Sequence, residues 1–198
     1  KEVGYDKFPT TYEDFQTLVQ KLKAAGKTAF TMGNKDQWPM QSCLFSCIAD
    51  RVTGSDFLSG VTAGTRKFTD DDFVSALTVL SDMSKAGTFN ADMNTLDYTE
   101  SQNYMSQGKT AIYMATSVVY GNLVKNNPNA DDIGVAVFPA IAGGKGKGVS
   151  MVGAQNSGIA VNAKLTGAKK EAAMKFLQYF FAKDMYADMI KAGFLVPA

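Results

Sequence analysis

The chain of 198 residues is long enough for one domain with a substantial core, or for two small lobes. Its 45% hydrophobic and 20% charged content is that of an ordinary globular protein, and a net charge of +1 gives no electrostatic basis for a nucleic-acid or anionic-membrane partner. Histidine is absent, which removes His-based triads, His acid–base chemistry and most zinc sites.

No apolar run approaches the roughly 18–20 residues that span a bilayer. The sequence opens on Lys1 with neither Met nor an apolar leader, as a cytoplasmic protein or a processed or trimmed piece would.

In chain order, Thr10 and Glu13 have capping-box spacing ahead of Phe15, Leu18, Val19 and Leu22, which recur at i, i+3, i+4, i+7. They predict a helix that Gly26 ends. Residues 28–32 read as a short strand. A polar loop, Gly33-Asn-Lys-Asp-Gln-Trp-Pro39, leads into a second helix reaching about Val52. Cys43 and Cys47 lie in it at i,i+4, a poor geometry for a disulfide, and read as small apolar residues of a buried face.

Thr69 is placed to cap a third helix. Asp70, Asp71 and Asp72 fall in its first turn, and Phe73, Ala76, Leu77, Leu80 and Met83 form its stripe up to Gly87. A helix over residues 99–107, a strand over 110–114 and a helix over 117–125 follow. After a turn-rich loop around Pro128, residues 133–137 read as a strand. Gly143-Gly-Lys-Gly-Lys-Gly148 lacks the P-loop ending and precedes a strand-like stretch, so it reads as a solvated, mobile connector. A strand over 158–161 and helices over 168–182 and 184–191 complete the chain. Alternating helices and strands indicate an α/β fold. The stripe Ala172, Ala173, Phe176, Leu177, Phe180, Phe181 is bulky enough to require a partner surface.

Ligands of open α/β folds bind beyond the carboxyl ends of strands. Three loops have that position. Asn34, Lys35, Asp36 and Trp38 follow the first strand, and combine planar polar groups with an aromatic face, the two group types that recognise sugars. Trp38 alternatively anchors the helix start to the core. Thr116, Ser117 and Tyr120 follow the second strand. Gln155 and Asn156 lie between two strand-like stretches, where amides serve a ligand or a turn. No nucleophile elbow or Ser-x-x-Lys helix start accompanies them, so no catalytic residue, metal ligand or cofactor is assigned and the chain reads as a non-enzyme.

Pro9-Thr-Thr-Tyr-Glu-Asp-Phe15, Leu22-Lys-Ala-Ala-Gly26, the Lys35-Asp-x-Trp-Pro39 loop, Gly108-Lys-Thr-Ala-Ile-Tyr-Met114 with Tyr120-Gly, Asp132-Ile-Gly-Val-x-Val-Phe-Pro139, Ser157-Gly-Ile-Ala-Val161 and Lys169-Lys-Glu-Ala-Ala-x-Lys-Phe-Leu177 occur in an order and spacing that resemble extracellular solute-binding proteins of carbohydrate ABC transporters, the maltose-binding-protein-like family. The resemblance implies an α/β, periplasmic-binding-protein-like (type II) two-lobe fold, here mostly one lobe. Residues 1–150 would form the carboxyl-terminal lobe, and residues 151–198 the crossing strand and helices that return to the amino-terminal lobe. The first part of that lobe would precede Lys1 and the final helices would follow Ala198.

The implied function is extracytoplasmic capture of a sugar or oligosaccharide and its delivery to ABC permease subunits, by a protein that is monomeric when intact, at the cell surface as a lipoprotein or in the periplasm. A sugar sensor that docks to a signalling receptor is the alternative. The family commonly has an aromatic, often Trp, in the turn after the 110–114 strand. Val118 stands there, which leaves Tyr120 to supply the aromatic face.

Overall fold

The computed structural model describes residues 2–114, 116–125, 127, 130–148 and 158–192. Helix α1, Tyr12–Ala24, begins one residue later than the capping-box spacing suggests: Thr11, not Thr10, is the N-cap, and its side chain accepts from Asp14 N at 3.2 Å. Glu13 and Asp14 in the first turn and Lys21 and Lys23 in the last complement the helix dipole. Gly26, at φ 71°, turns the chain out of the helix while Lys27 N returns to Leu22 O. The four residues of the predicted stripe, Phe15, Leu18, Val19 and Leu22, are all buried.

Strand β1, Thr28–Thr31, pairs in parallel with β2, Thr110–Tyr113, in the register Thr28↔Thr110, Phe30↔Ile112, Thr31↔Tyr113. A single parallel bridge from Phe30 to Phe89 extends the layer on the other side of β1. Because β1 is covered, its residues read as a continuous buried run. Its Phe30 meets Phe15 of α1 edge-on at 6.4 Å and Phe89 at 5.5 Å. Around this contact the core gathers Tyr12, Met32, Leu44, Ile48, Ala76, Met83 and Phe138.

The expected second helix is two pieces. Residues Pro39–Phe45 form a π-helix, and α2, Ser46–Thr53, continues from it. The wider π turn starts at a proline, whose missing N–H costs nothing at a helix start. Cys43 and Cys47 are half-buried thiols, and burial pushes the Cys43 thiol up to about 11. A short helix α3, Phe57–Thr62, was not anticipated. It packs Phe57 on Phe73 of α4, Asp71–Lys85, with rings stacked 5.1 Å apart.

Asp70, rather than Thr69, is the N-cap of α4, and its side chain makes no capping bond. The acidic triplet does more than favour a helix start. Arg66 donates to Asp70 at 2.7 Å and to Asp72 at 2.6 Å, lies over the Phe57 ring, and Lys145 joins Asp72 at 2.7 Å. That last bond ties down the Gly/Lys loop, which is docked and not a free connector. Lys145 N and Gly146 N donate to Val52 O and Arg51 O at the end of α2. A Cβ on Gly144 would lie 2.2 Å from Arg51 O, and one on Gly146 2.2 Å from Asp50 O, so the backbone approach requires glycine at both. The carbonyls it covers belong to the same turn as fully buried Arg51, whose guanidinium donates to Phe138 O through Nε and Nη2 and to Asp50 through Nη1.

Helices α5, Tyr98–Ser106, and α6, Val118–Val124, flank β2 in sequence. Residues 133–137 do not form the expected strand. Among the described residues they join no ladder, Val135 is 70% exposed, and only the end of the stretch is used: Phe138 enters the core and Ala140 bridges to Thr11. Residues 158–161 likewise join no ladder among the described residues, with Ile159 exposed. Helices α7, Gly167–Phe180, and α8, Lys183–Lys191, contact each other and bury no residue. Among the described residues no helix is long and apolar enough to cross a membrane.

Candidate functional site

The parallel pairing of β1 and β2 brings the loops that follow them to one edge of the sheet, with the start of α5 beside both. The first loop is held tightly. Asn34 N donates to Met93 O at 2.8 Å and Lys35 N to Leu96 O at 3.1 Å, so residues 33–35 run along residues 93–97. Gly33 makes this possible, since a Cβ there would sit 2.3 Å from Asp97 O. Residues 34–38 then fold into a turn, with Gln37 N on Asn34 O, Trp38 N on Asp36 O, and Gln37 at φ 64°. Left-handed backbone at a non-glycine residue costs of order 1 kcal/mol, held here by the surrounding bonds.

The side chains of this loop divide into two groups. The Asn34 amide is consumed within the protein: Oδ1 accepts from Met40 N at 3.1 Å and Nδ2 donates to Asn94 Oδ1 at 3.1 Å. It shapes the loop. Lys35 and Asp36 are exposed at its crest, and Trp38 is half-buried immediately before the π-helix. The Trp38 indole lies against Tyr98, centroids 4.6 Å apart and planes at 58°. It anchors the loop to the first residue of α5, leaving part of its surface open.

Tyr98 also reaches the second loop. Its hydroxyl accepts from Thr116 N at 3.2 Å and shares a hydrogen bond with Thr116 Oγ1 at 3.1 Å. Its carbonyl accepts from Ser101 Oγ at 2.8 Å and from the Tyr113 hydroxyl at 3.3 Å, at the end of β2. Burial holds the Tyr113 phenol well above its ordinary range, so it remains a neutral donor. Beyond Thr116, Ser117 is exposed at the N-cap of α6, and Val118 and Tyr120 are 43% and 41% exposed on it. The structure thus joins the Trp38 loop to Thr116 through Tyr98 and carries Ser117 and Tyr120 on the adjoining helix. Gln155 and Asn156 lie outside the described residues.

Sequence reasoning missed Tyr98 and the turn before it. Asn90 Oδ1 accepts from Met32 N at 2.9 Å, while Asp92 accepts from Tyr104 at 2.6 Å and from Asn90 Nδ2 at 2.7 Å. Those two bonds hold the Asp92 carboxyl below its ordinary range. Asp97 caps α5 by accepting from Glu100 N at 2.7 Å, which lowers its carboxyl in turn. The signals were present: an Asn-x-Asp turn, then Asp97-x-x-Glu100 at capping-box spacing. The outcome is a rigid, aromatic and hydroxyl-lined edge with a charged crest. Such a surface suits a neutral polyhydroxylated molecule, whose C–H faces pack on rings and whose hydroxyls exchange hydrogen bonds. Among the described residues no three His, Cys, Asp or Glu side chains gather as a metal site.

Solved structures share this fold. A chitin oligosaccharide binding protein is 25% identical over 99% of this chain and 48% of its own, with a TM-score of 0.81. A structure from work on xylan utilisation by the thermophilic bacterium Caldanaerobius polysaccharolyticus is 30% identical over 72% of this chain and 36% of its own, at a TM-score of 0.67. The raffinose complex of the solute-binding protein RafE, 19% identical over 93% of this chain and 47% of its own at a TM-score of 0.74, supports the fold. The chain therefore spans about half the length of these proteins or less. No curated protein sequence matches it. The fold is of the type II periplasmic-binding-protein-like class, here a single-lobe portion. The family of bacterial extracellular solute-binding proteins matches residues 1–187, nearly the whole chain, and it is to this family that the chain belongs.

Proposed function

We propose that this chain is the sugar-gripping part of an extracytoplasmic solute-binding protein that captures a sugar or oligosaccharide and delivers it to an ABC importer. Residues 1–150 serve as the carboxyl-terminal lobe and residues 151–198 as the crossing segment and helices returning to the amino-terminal lobe. The observation that carries this reading is the pair of strand-end loops joined through Tyr98, with Trp38 offering a partly open aromatic face beside Lys35 and Asp36. Ser117 and Tyr120 border the same edge, and on sequence grounds alone Gln155 and Asn156 are proposed as further ligand contacts. Relatives described as binding chitin oligosaccharide and raffinose support the ligand class.

Binding and release account for such a role without any bond being broken, so the protein is not an enzyme. Its partners are the sugar and the permease subunits, and the intact protein is a monomer held outside the cytoplasm, in the periplasm or by a lipid anchor at the cell surface. Closure around the ligand is driven only by contacts that differ between open and closed states.

Calorimetry of the intact protein against chito-oligosaccharides, raffinose and maltose tests the reading. We expect binding of at least one sugar, weakened about tenfold by Trp38→Ala, the loss expected for one aromatic contact worth ~1.4 kcal/mol. Equal affinity in wild type and Trp38→Ala would remove this loop from the site, and no binding at all would remove the sugar.

A further inference from the structure

We infer that Tyr98 is a positioning residue that couples the two ligand loops, so that the aromatic face at Trp38 and the backbone at Thr116 present themselves to a ligand as one preset surface. The inference rests on the sugar-binding reading above and names the side chain that makes its two halves act together.

Three independent contacts meet on this one residue. The ring fixes the indole of Trp38 at 4.6 Å. The hydroxyl fixes the second loop, accepting from Thr116 N and sharing a bond with Thr116 Oγ1. The carbonyl is fixed from below by the hydroxyls of Tyr113 and Ser101, which bond each other at 2.8 Å. Ser101 is fully buried and Tyr113 closes β2, so Tyr98 is referenced to the sheet itself.

Among the described residues, neither loop is tied to the other by regular secondary structure. The β1–β2 register ends at Thr31↔Tyr113, before either loop begins. Without Tyr98, a ligand touching both loops would bear the cost of ordering them relative to each other. With it, that ordering is complete before the ligand arrives, and preset geometry raises affinity by removing this cost.

Tyr98→Phe keeps the ring against Trp38 and deletes only the hydroxyl, and Thr116→Val deletes one partner from the other end. Titration calorimetry on the intact protein is expected to show sugar affinity about fivefold weaker in Tyr98→Phe, the scale of one hydrogen bond. The melting temperature should fall by no more than about 4 °C, the shift that ~1 kcal/mol of lost hydrogen bonding gives a protein of this size. Adding Thr116→Val to Tyr98→Phe should weaken binding less than about twofold further, since both changes break the same link. The fluorescence difference between wild type and Trp38→Phe isolates the Trp38 signal, whose change on sugar addition should shrink in Tyr98→Phe.

Wild-type affinity in Tyr98→Phe, or losses from the two substitutions that simply multiply, would overturn the inference while leaving the sugar reading in place. Failure of the wild-type protein to bind any sugar would overturn the sugar reading and this inference with it.

Discussion

Asp72 carries two cations at once. Its carboxylate accepts from Lys145 and from Arg66, and these bonds bring it down to about 2. Arg66 likewise lowers Asp70. A carboxyl lowered in the folded state contributes stability that is fully present above its ordinary value near 4 and is lost as pH falls through the folded value. We therefore expect chemical-denaturation midpoints to drop between about pH 4 and pH 2. In Asp72→Asn the fall over that window should be shallower and the midpoint at pH 7 lower. A wild-type slope in Asp72→Asn would show that the pairing contributes nothing to folding. Arg66 has the further task of covering the Phe57 ring at 4.7 Å, so replacing it by Lys should not restore the same arrangement.

Among the described elements, α7 and α8 bury no residue. Phe176, Tyr179 and Phe181 are 55%, 63% and 66% exposed, and the aromatic contacts within α7 and its end are with one another. Exposed apolar surface on this scale destabilises nothing by itself but favours association. For residues 1–198 alone, Phe176→Ser with Phe181→Ser should shift stability by no more than about 0.5 kcal/mol and reduce self-association in sedimentation. In the intact protein, the same pair is expected to cost about 1–3 kcal/mol if the other lobe covers this face. No loss there would mean that the face is free in the whole protein as well.

How far the elements could be read from sequence follows from the range of the forces that make them. Helix α1 was legible because Phe15, Leu18, Val19 and Leu22 declare their face through their own spacing, and Gly26 supplies its stop locally. The alternation in residues 133–137 has the same local appearance as a strand, but a strand exists only where a neighbour offers a ladder, and among the described residues this stretch joins none; Ala140, just beyond it, makes a single bridge to Thr11. The Gly/Lys loop was read as free because the carbonyls it docks on lie some ninety residues away in the chain. The site shows the same divide. The loop position of Trp38, Lys35 and Asp36 was legible, whereas the commitment of the Asn34 amide to Asn94, 60 residues on, and the contact of Tyr98 with Trp38 were not.

At the scale of the whole molecule, the sheet that places the site joins distant parts of the chain. Thr28 and Thr110 are paired across 82 residues. Closing a loop of that length costs ~2 kcal/mol more than closing one of about ten residues, and the cost falls due before any ladder bond repays it. The contacts between the π-helix, α2 and α4 lie within residues 39–85 and close shorter loops, at a cost about 0.5–1 kcal/mol lower. The expected order of assembly is that the helical portion forms early and β1 and β2 meet late, with the two loops at their ends apart until then. Trp38, the only tryptophan of the chain, stands where that last event happens. Its emission should reach the native value in a refolding phase slower than the one that restores helical circular dichroism, and simultaneous phases would contradict this order. The candidate binding edge would then be the final part of the fold to exist, and any ligand it takes would engage only the fully folded chain.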